Sequence, residues 1–154
     1  MELAEYKCKS ISENHPHSLV IGADTIVYHN KKILNKPKNK TEAKAHLNAL
    51  SNHTHIVYTG VYASIQSSNT NLSFYDKSYV TFNKLRNRDM NYYIEHFKPY
   101  DKAGSYGIQD WSMIFVKKIN GCFNNVVGFP VSKFFKLGFE NSAMKIIIRN
   151  NLNQ

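Results

Sequence analysis

Apolar segments with the pattern of β-strands occur together with amphipathic helical stripes along this chain. Ala43, Leu47 and Leu50 recur at i, i+4 and i+7, the spacing of one helical face laid on a sheet. The segments rich in β-branched and aromatic residues are 19–21, 55–63 and 72–82. No internal repeat or Gly/Ser linker divides these patterns. The combination predicts a single α/β or α+β core.

The same patterns predict where individual elements begin and end. Helices are expected over 2–11, from an N-cap at Thr41 to Leu50, over 90–97 before Pro99, and from Pro130 to Leu137. Strands are expected over 19–21, 25–28, 55–63, 72–82 and 113–119, with a loop over 33–37 and a turn marked by Gly121 and Asn124. This arrangement places Asp24 at the end of a buried strand.

The chain of 154 residues is strongly basic, with 20 Lys and Arg, 11 Asp and Glu and a net charge of +9. This charge attracts phosphate-rich ligands over long range. The basic residues nevertheless stand singly or in pairs among 18 Asn, rather than clustered on one element. The composition therefore predicts one globular domain over 1–154 and does not favour a nucleic-acid partner, which stays an alternative resting on charge alone.

The cysteine content and the absence of apolar runs predict a cytoplasmic protein without membrane contact. Cys8 and Cys122 are too few for a disulfide framework and lack metal-ligand spacing, so both are expected as free, reduced and buried thiols. No run approaches the ~18 apolar residues of a membrane span, and the polar start 1–5 has no signal-peptide pattern.

Asp24 and Lys36 are the first candidates for chemistry. A carboxylate beside a buried strand can accept a proton from water or hold a divalent cation, although such a residue also serves as a turn or cap. Lys36, before Pro37, could neutralise charge on a phosphate chain, or it could be one more solvated lysine of this region.

The loop 101–109, with the sequence Asp-Lys-Ala-Gly-Ser-Tyr-Gly-Ile-Gln, is the most specific stretch. Its two glycines allow the backbone to approach a ligand, and the amide of Gln109 both donates and accepts, as reading a pyrimidine edge requires. Asp101 could help to hold a metal, although a salt bridge within the loop is the commoner role. The seven His lack the spacing of a zinc site.

Taken in order, the blocks IGADTIV, NKP, LSNHTHIVYTGV, YDKAGSYGIQ and NNVVGFP resemble the Maf family of nucleoside triphosphate pyrophosphatases, in its dTTP/UTP branch. The resemblance implies a Maf/inosine-triphosphatase-like mixed sheet flanked by helices, with two lobes and a nucleotide cleft. It implies hydrolysis of dTTP, UTP or modified pyrimidine nucleotides to the monophosphate and pyrophosphate, with Mg²⁺ or Mn²⁺, in a homodimer.

The resemblance also implies roles for individual residues. Asp24 matches the catalytic base and a metal ligand, and Asp101 is a weaker metal candidate. The residues matched to substrate binding and specificity are Thr25, Lys36, Gln109, Lys102 and, through a short Leu-Ala-x-x-Lys pattern, Lys7.

One family feature has no match in residues 1–20, namely the Ser-x-Ser-Pro-Arg-Arg loop that grips the substrate. The resemblance therefore predicts a domain truncated at its N-terminus relative to the family. The alternative to an active enzyme is an impaired fragment or pseudoenzyme, which binds nucleotide or dimerises without turnover.

Overall fold

The computed structural model describes residues 1–142, 144–145 and 149. The helices are α1 (Glu2–Ser12), α2 (Lys40–Leu50), α3 (Asn87–Phe97), α4 (Phe123–Val127) and α5 (Val131–Glu140). The strands are β1 (Val20–His29), β2 (Lys32–Leu34), β3 (Thr54–Ile65), β4 (Thr70–Phe82) and β5 (Val116–Asn120). They form one sheet in the order β2-β1-β3-β4-β5. The α/β class predicted from the sequence is confirmed.

Strand β1 is continuous, so the prediction of two strands over 19–21 and 25–28 is wrong. It pairs antiparallel with β2 from Val27↔Leu34 to His29↔Lys32, around a turn at Asn30 and Lys31. Both turn residues have positive φ, 47° and 61°, as a tight two-residue hairpin requires. Asp24 therefore lies inside a strand rather than at its end.

Gly22 was expected to end a strand, but the structure gives it a different role. A Cβ atom at Gly22 would lie 2.2 Å from the carbonyl oxygen of Ala4 and 2.7 Å from the amide nitrogen of Cys8. Helix α1 buries Ala4, Cys8 and Ser12, which are spaced at i, i+4 and i+8. The glycine thus permits α1 to pack backbone-to-backbone on β1, and it does not interrupt the strand.

The predicted start of α2 at a Thr41 cap is also wrong. The N-cap is Asn39, whose Oδ1 accepts a hydrogen bond from the Glu42 amide at 2.9 Å. The Glu42 side chain in turn accepts a hydrogen bond from the Lys38 amide at 2.8 Å. The Asn39 side chain thus accepts from an amide inside the helix, and the Glu42 side chain accepts from an amide just before it. Thr41 consequently lies within the first turn of the helix.

Three further boundaries differ from the sequence prediction. Residues 33 and 34 belong to β2 rather than to a loop, and Asn124 lies in α4 rather than in a turn. Residues 113–115 belong to a 3₁₀ helix (Trp111–Phe115), which Asp110 caps by accepting from the Ser112 amide. The cap delays the start of β5 to Val116.

The chain divides into two compact units, each with its own apolar core. The first unit comprises Met1–Asp24, Thr59–Asp76 and Gly128–Gln154, and the second comprises Thr25–Tyr58 and Lys77–Val127. The core of the first unit includes Val61, Ala63, Ile65, Phe74 and Phe134. The core of the second includes Leu47, Leu50, Phe82, Tyr93 and Phe115. The single domain expected over 1–154 stays a prediction.

Cys8 and Cys122 are free thiols. Cys8 is buried as predicted, whereas the predicted burial of Cys122 is wrong, because its side chain is partly exposed. Within the residues that the structure describes, no helix combines the length and apolar character needed to cross a bilayer.

Candidate functional site

Asp24 and Lys7 form an ion pair in the first unit. The Nζ atom of Lys7 lies 2.6 Å from Oδ1 of Asp24 and 3.3 Å from the carbonyl oxygen of Ala23. The side chain of Asp24 is 23% exposed and that of Lys7 is 51% exposed. The carboxylate is therefore oriented by a charge-assisted hydrogen bond while it still meets solvent.

The packing of α1 explains why these two side chains meet. Residues two apart on a strand project to the same face, so Asp24 projects to the face on which Gly22 meets α1. Lys7 lies next to Cys8, which contacts Gly22, and reaches Asp24 from the helix. Thr25 follows Asp24 directly and therefore projects to the opposite face of β1. The structure thus brings Lys7 to Asp24 but places Thr25 on the other side of the strand.

Asp101, Lys102 and Lys36 share one electrostatic environment in the second unit. Lys102 Nζ contacts both carboxylate oxygens of Asp101, at 2.9 and 3.2 Å. This hydrogen bond lowers the pKa of Asp101 below its ordinary value, and the charge of Lys36 adds a smaller effect in the same direction. The carboxylate of Asp101 is ionised, exposed and already engaged by an ammonium group.

The loop after β2 is tied to the loop 101–109. The amide of Gly104 donates to the carbonyl of Asn35 at 3.3 Å, one residue before Lys36. Gly104 has a φ of 67°, and a Cβ atom there would lie 3.0 Å from both Cγ atoms of Val27. Both the close contact and the left-handed conformation favour a glycine at this position. Lys36 and Gln109 remain exposed on these tied loops.

Two histidines form hydrogen bonds with the side chains of two consecutive residues of the loop 101–109. His46 Nδ1 lies 2.8 Å from Oγ of Ser105, and His55 Nε2 lies 2.7 Å from the hydroxyl of Tyr106. Burial lowers the pKa of His46, and burial lowers the pKa of His55 to about 3. Burial also raises the pKa of Tyr106. All three groups are therefore neutral at pH 7, and they anchor the loop without charge.

The end of the loop is held by Asp110. Its Oδ2 accepts from the Tyr93 hydroxyl at 3.0 Å, and its Oδ1 accepts from the Ser112 hydroxyl at 2.7 Å. Ser112 Oγ also accepts from the amide of Gly107 at 3.0 Å. These bonds fix the backbone on both sides of Gln109 while its side chain stays exposed.

Sequence reasoning missed the supporting roles of His46 and Asp110. A usable signal existed for His46, because it lies three residues after Ala43 on the buried stripe of α2. A polar residue on such a stripe needs a partner inside the protein. Asp110 caps the 3₁₀ helix Trp111–Phe115, and the strand expected over 113–119, which overlaps this helix at 113–115, hid that role.

The positive charge of the protein belongs to the second unit. This unit contains 14 of the 20 Lys and Arg and five of the 11 Asp and Glu, a net charge of +9. The first unit contains six of each and is neutral overall. Residues 31–44 alone carry six lysines and one acid. The field of the second unit therefore attracts anions such as phosphate chains.

Within the described residues, no group of three or more His, Cys, Asp or Glu side chains is placed to hold a metal ion. Asp24 in the first unit and Asp101 in the second are each paired with one lysine. Mg²⁺ commonly takes only one or two protein carboxylates and completes its shell with water and substrate phosphate oxygens. The donor set is compatible with a cation of that kind.

Comparison with known proteins identifies relatives over most of the chain. A family model described as Maf-like protein matches residues 1–138. The dTTP/UTP pyrophosphatase of Shouchella clausii is 49% identical over 135 residues, which cover 88% of this chain and 70% of that protein. The dTTP/UTP pyrophosphatase of Bacillus mycoides is 44% identical over 136 residues, which again cover 88% of this chain and 70% of that protein. The dTTP/UTP pyrophosphatase of Cytophaga hutchinsonii is 48% identical over 132 residues, which cover 85% of this chain and 60% of that protein.

Proposed function

Because the chain belongs to the Maf family, we propose that it is a nucleoside triphosphate pyrophosphatase that acts on dTTP and UTP. Three relatives that align over 85% or 88% of the chain carry this activity in their names. The structural observation that supports the proposal is the partly exposed Asp24 carboxylate, held 2.6 Å from Lys7. Modified pyrimidine nucleotides are further candidate substrates.

In the proposed reaction, water attacks the α-phosphorus of the triphosphate. The new bond joins the water oxygen to the α-phosphorus, and the bond from that phosphorus to the α–β bridging oxygen breaks. Pyrophosphate leaves with the bridging oxygen, and the monophosphate remains. Asp24 accepts the proton of the water, with Oδ2 as the accepting atom because Lys7 occupies Oδ1.

The lysines near the loops offset negative charge. We assign Lys36 and Lys102 to the phosphate chain, since both lie in the strongly basic second unit. Lys7 holds the Asp24 carboxylate in place through the 2.6 Å contact, and it is a further candidate for contact with a phosphate. Asp24 and, more weakly, Asp101 are the candidate ligands for Mg²⁺ or Mn²⁺, a cation that would supply neutralisation of charge on phosphate oxygens.

Gln109 is proposed to select the base, and the resemblance assigns Thr25 to the same selection, although its side chain projects to the face of β1 opposite Asp24. The Gln109 amide can donate to one group and accept from another on a pyrimidine edge. The backbone neighbours of Gln109 are held by the Asp110 and Ser112 hydrogen bonds, so the exposed side chain extends from a fixed stretch of backbone. This arrangement supports discrimination by preorganisation.

We also propose a cytoplasmic homodimer. The support is the pair of free thiols, which suits a reducing compartment, and the resemblance to a family of dimers. Light scattering coupled to size-exclusion chromatography tests the dimer directly. A mass equal to one chain at micromolar concentration would contradict it.

The function is tested by measuring pyrophosphate and monophosphate released from dTTP, UTP, CTP, GTP and ATP with Mg²⁺ or Mn²⁺. We expect turnover of dTTP and UTP, and a fall in kcat of about 10²-fold to 10⁴-fold in Asp24→Asn. Asp76→Asn is a matched control, because Asp76 lies in the same unit, is 22% exposed and pairs with Lys133. This control is expected to keep its turnover.

Two outcomes would contradict the proposal. If Asp24→Asn retains the wild-type kcat, Asp24 is not the base. If the folded wild-type protein is stabilised by UTP against thermal unfolding but releases no product, the alternative of a nucleotide-binding pseudoenzyme replaces the enzyme.

A further inference from the structure

A buried hydrogen bond joins helix α2 to the centre of the loop 101–109. His46 and Ser105 are 9% and 0% exposed, and 2.8 Å separates Nδ1 from Oγ. The neighbours of His46 on the buried side of α2 are the apolar Ala43, Leu47 and Leu50. A hydroxyl in such surroundings requires a partner, and the geometry is satisfied when Ser105 donates to Nδ1.

Ser105 has a backbone conformation that favours glycine. Its φ is 64°, and it follows Gly104 with a φ of 67°. Two consecutive residues in the left-handed region make a sharp change in chain direction, and a non-glycine residue adopts it only when its surroundings hold it there. The bonds that hold Ser105 are its amide to the Lys102 carbonyl at 3.1 Å and its hydroxyl to His46.

The position of this bend matters for the proposed site. Lys102 precedes Ser105 by three residues and Gln109 follows it by four, and both side chains extend from the same loop. Gly104, directly before Ser105, carries the bond to Asn35 that ties in the segment of Lys36. Ser105 is therefore linked, through short backbone segments and one hydrogen bond, to the segments of three residues assigned to the nucleotide.

We propose that His46 is a positioning residue that holds the loop 101–109 in its nucleotide-reading conformation through Ser105. The inference rests on the proposed function, since reading of the pyrimidine base is assigned to Gln109 of this loop. His46 does not contact substrate. It acts only through the hydroxyl of Ser105 and the bend that this hydroxyl stabilises.

The test compares the ratio of kcat/KM for UTP to kcat/KM for CTP among variants. His46→Leu and Ser105→Ala each remove the hydrogen bond, and each is expected to lower the ratio about 5-fold to 10-fold, the effect of one lost hydrogen bond. The double variant is expected to lose no more than the larger single effect. His46→Asn keeps an acceptor near the position of Nδ1 and is expected to recover most of the ratio.

Ser78→Ala is the matched structural control. Ser78 is also fully buried in the second unit, and its hydroxyl donates to the carbonyl of Cys122 at 2.9 Å, outside the loop 101–109. This variant is expected to lower the melting temperature without changing the UTP to CTP ratio. A folded, active His46→Leu protein with the wild-type ratio would overturn the proposal, as would equal effects of His46→Leu and Ser78→Ala on the ratio.

The two proposals fail in distinguishable ways. If the wild-type protein binds triphosphates but hydrolyses none, the proposed function fails. The preference for UTP over CTP is then measured as the ratio of their dissociation constants. A loss of binding preference in His46→Leu then still supports positioning. A wild-type protein that shows no preference in either measurement overturns the positioning role as well.

Discussion

His55 should make the stability of this protein fall steeply in mild acid. The side chain is 1% exposed, and its ring packs edge-on against Phe82 and Tyr106 at 5.0 and 5.4 Å. Its Nε2 is bonded to the Tyr106 hydroxyl, while Nδ1 finds no partner among the described residues. Burial, with a smaller contribution from nearby His29, lowers the pKa of His55 to about 3.

The size of the effect follows from proton linkage. In the unfolded chain His55 regains its ordinary pKa of about 6.5, so it binds a proton as the pH falls through that value, whereas the folded state stays neutral. Stability is thus fully present above pH 6.5 and is lost progressively down to about pH 3. Between pH 7 and pH 5 the loss amounts to about 2 kcal/mol. It depends little on the exact folded pKa, since that lies well below 5.

Urea-induced unfolding at pH 7, 6 and 5 measures this loss directly. The His55→Leu variant has no imidazole to bind a proton in the unfolded chain. Between pH 7 and pH 5 its free energy of unfolding should therefore fall by about 2 kcal/mol less than that of the wild type. His17→Gln replaces an exposed histidine and is expected to keep the wild-type pH dependence. Equal pH dependence in the wild type and in His55→Leu would refute the reasoning, because it would mean that His55 titrates alike in both states.

Two further predictions concern stability at neutral pH, both measured by denaturant unfolding. Gly22→Ala should lower the free energy of unfolding by about 3 kcal/mol, because its Cβ would meet the Ala4 carbonyl oxygen at 2.2 Å. Gly60→Ala should cost less than about 1 kcal/mol, since its nearest contact is a flexible side-chain sulfur at 3.0 Å, and equal costs would contradict backbone packing at Gly22. Asn39→Ala should cost about 1 kcal/mol through loss of the α2 cap, whereas Thr41→Ala should cost little. A larger cost for Thr41→Ala than for Asn39→Ala would identify Thr41 as the cap instead.

Elements with a strong local pattern were predicted well. The apolar positions of α3, with Pro99 beyond its end, locate the observed Asn87–Phe97, and the two β-rich segments locate β3 and β4. The errors occur where residues with two possible roles stand at a boundary. Gly22 can end a strand or admit a helix, and both Asn39 and Thr41 are good N-caps.

In the candidate site, too, some features could be predicted from the sequence and others could not. The motifs locate Asp24, Lys36 and the loop 101–109, because each motif combines its residue types within a few consecutive positions of the chain. The pairing of Asp24 with Lys7 could not be read from the sequence, because it depends on the approach of α1 to Gly22. The assigned roles of these residues in turnover stay predictions.

By itself, the sequence determined helices α1, α2, α3 and α5, the strands β3 and β4, the family and the residues from which a site could be built, since periodicity and motifs are local properties. Only the tertiary structure decided that β1 continues through Asp24, and that His46 and His55 support the loop at Ser105 and Tyr106. These histidines lie 59 and 51 residues away from their partners along the chain. Hydrogen bonds over such separations exist only once packing has excluded water and brought the two segments together.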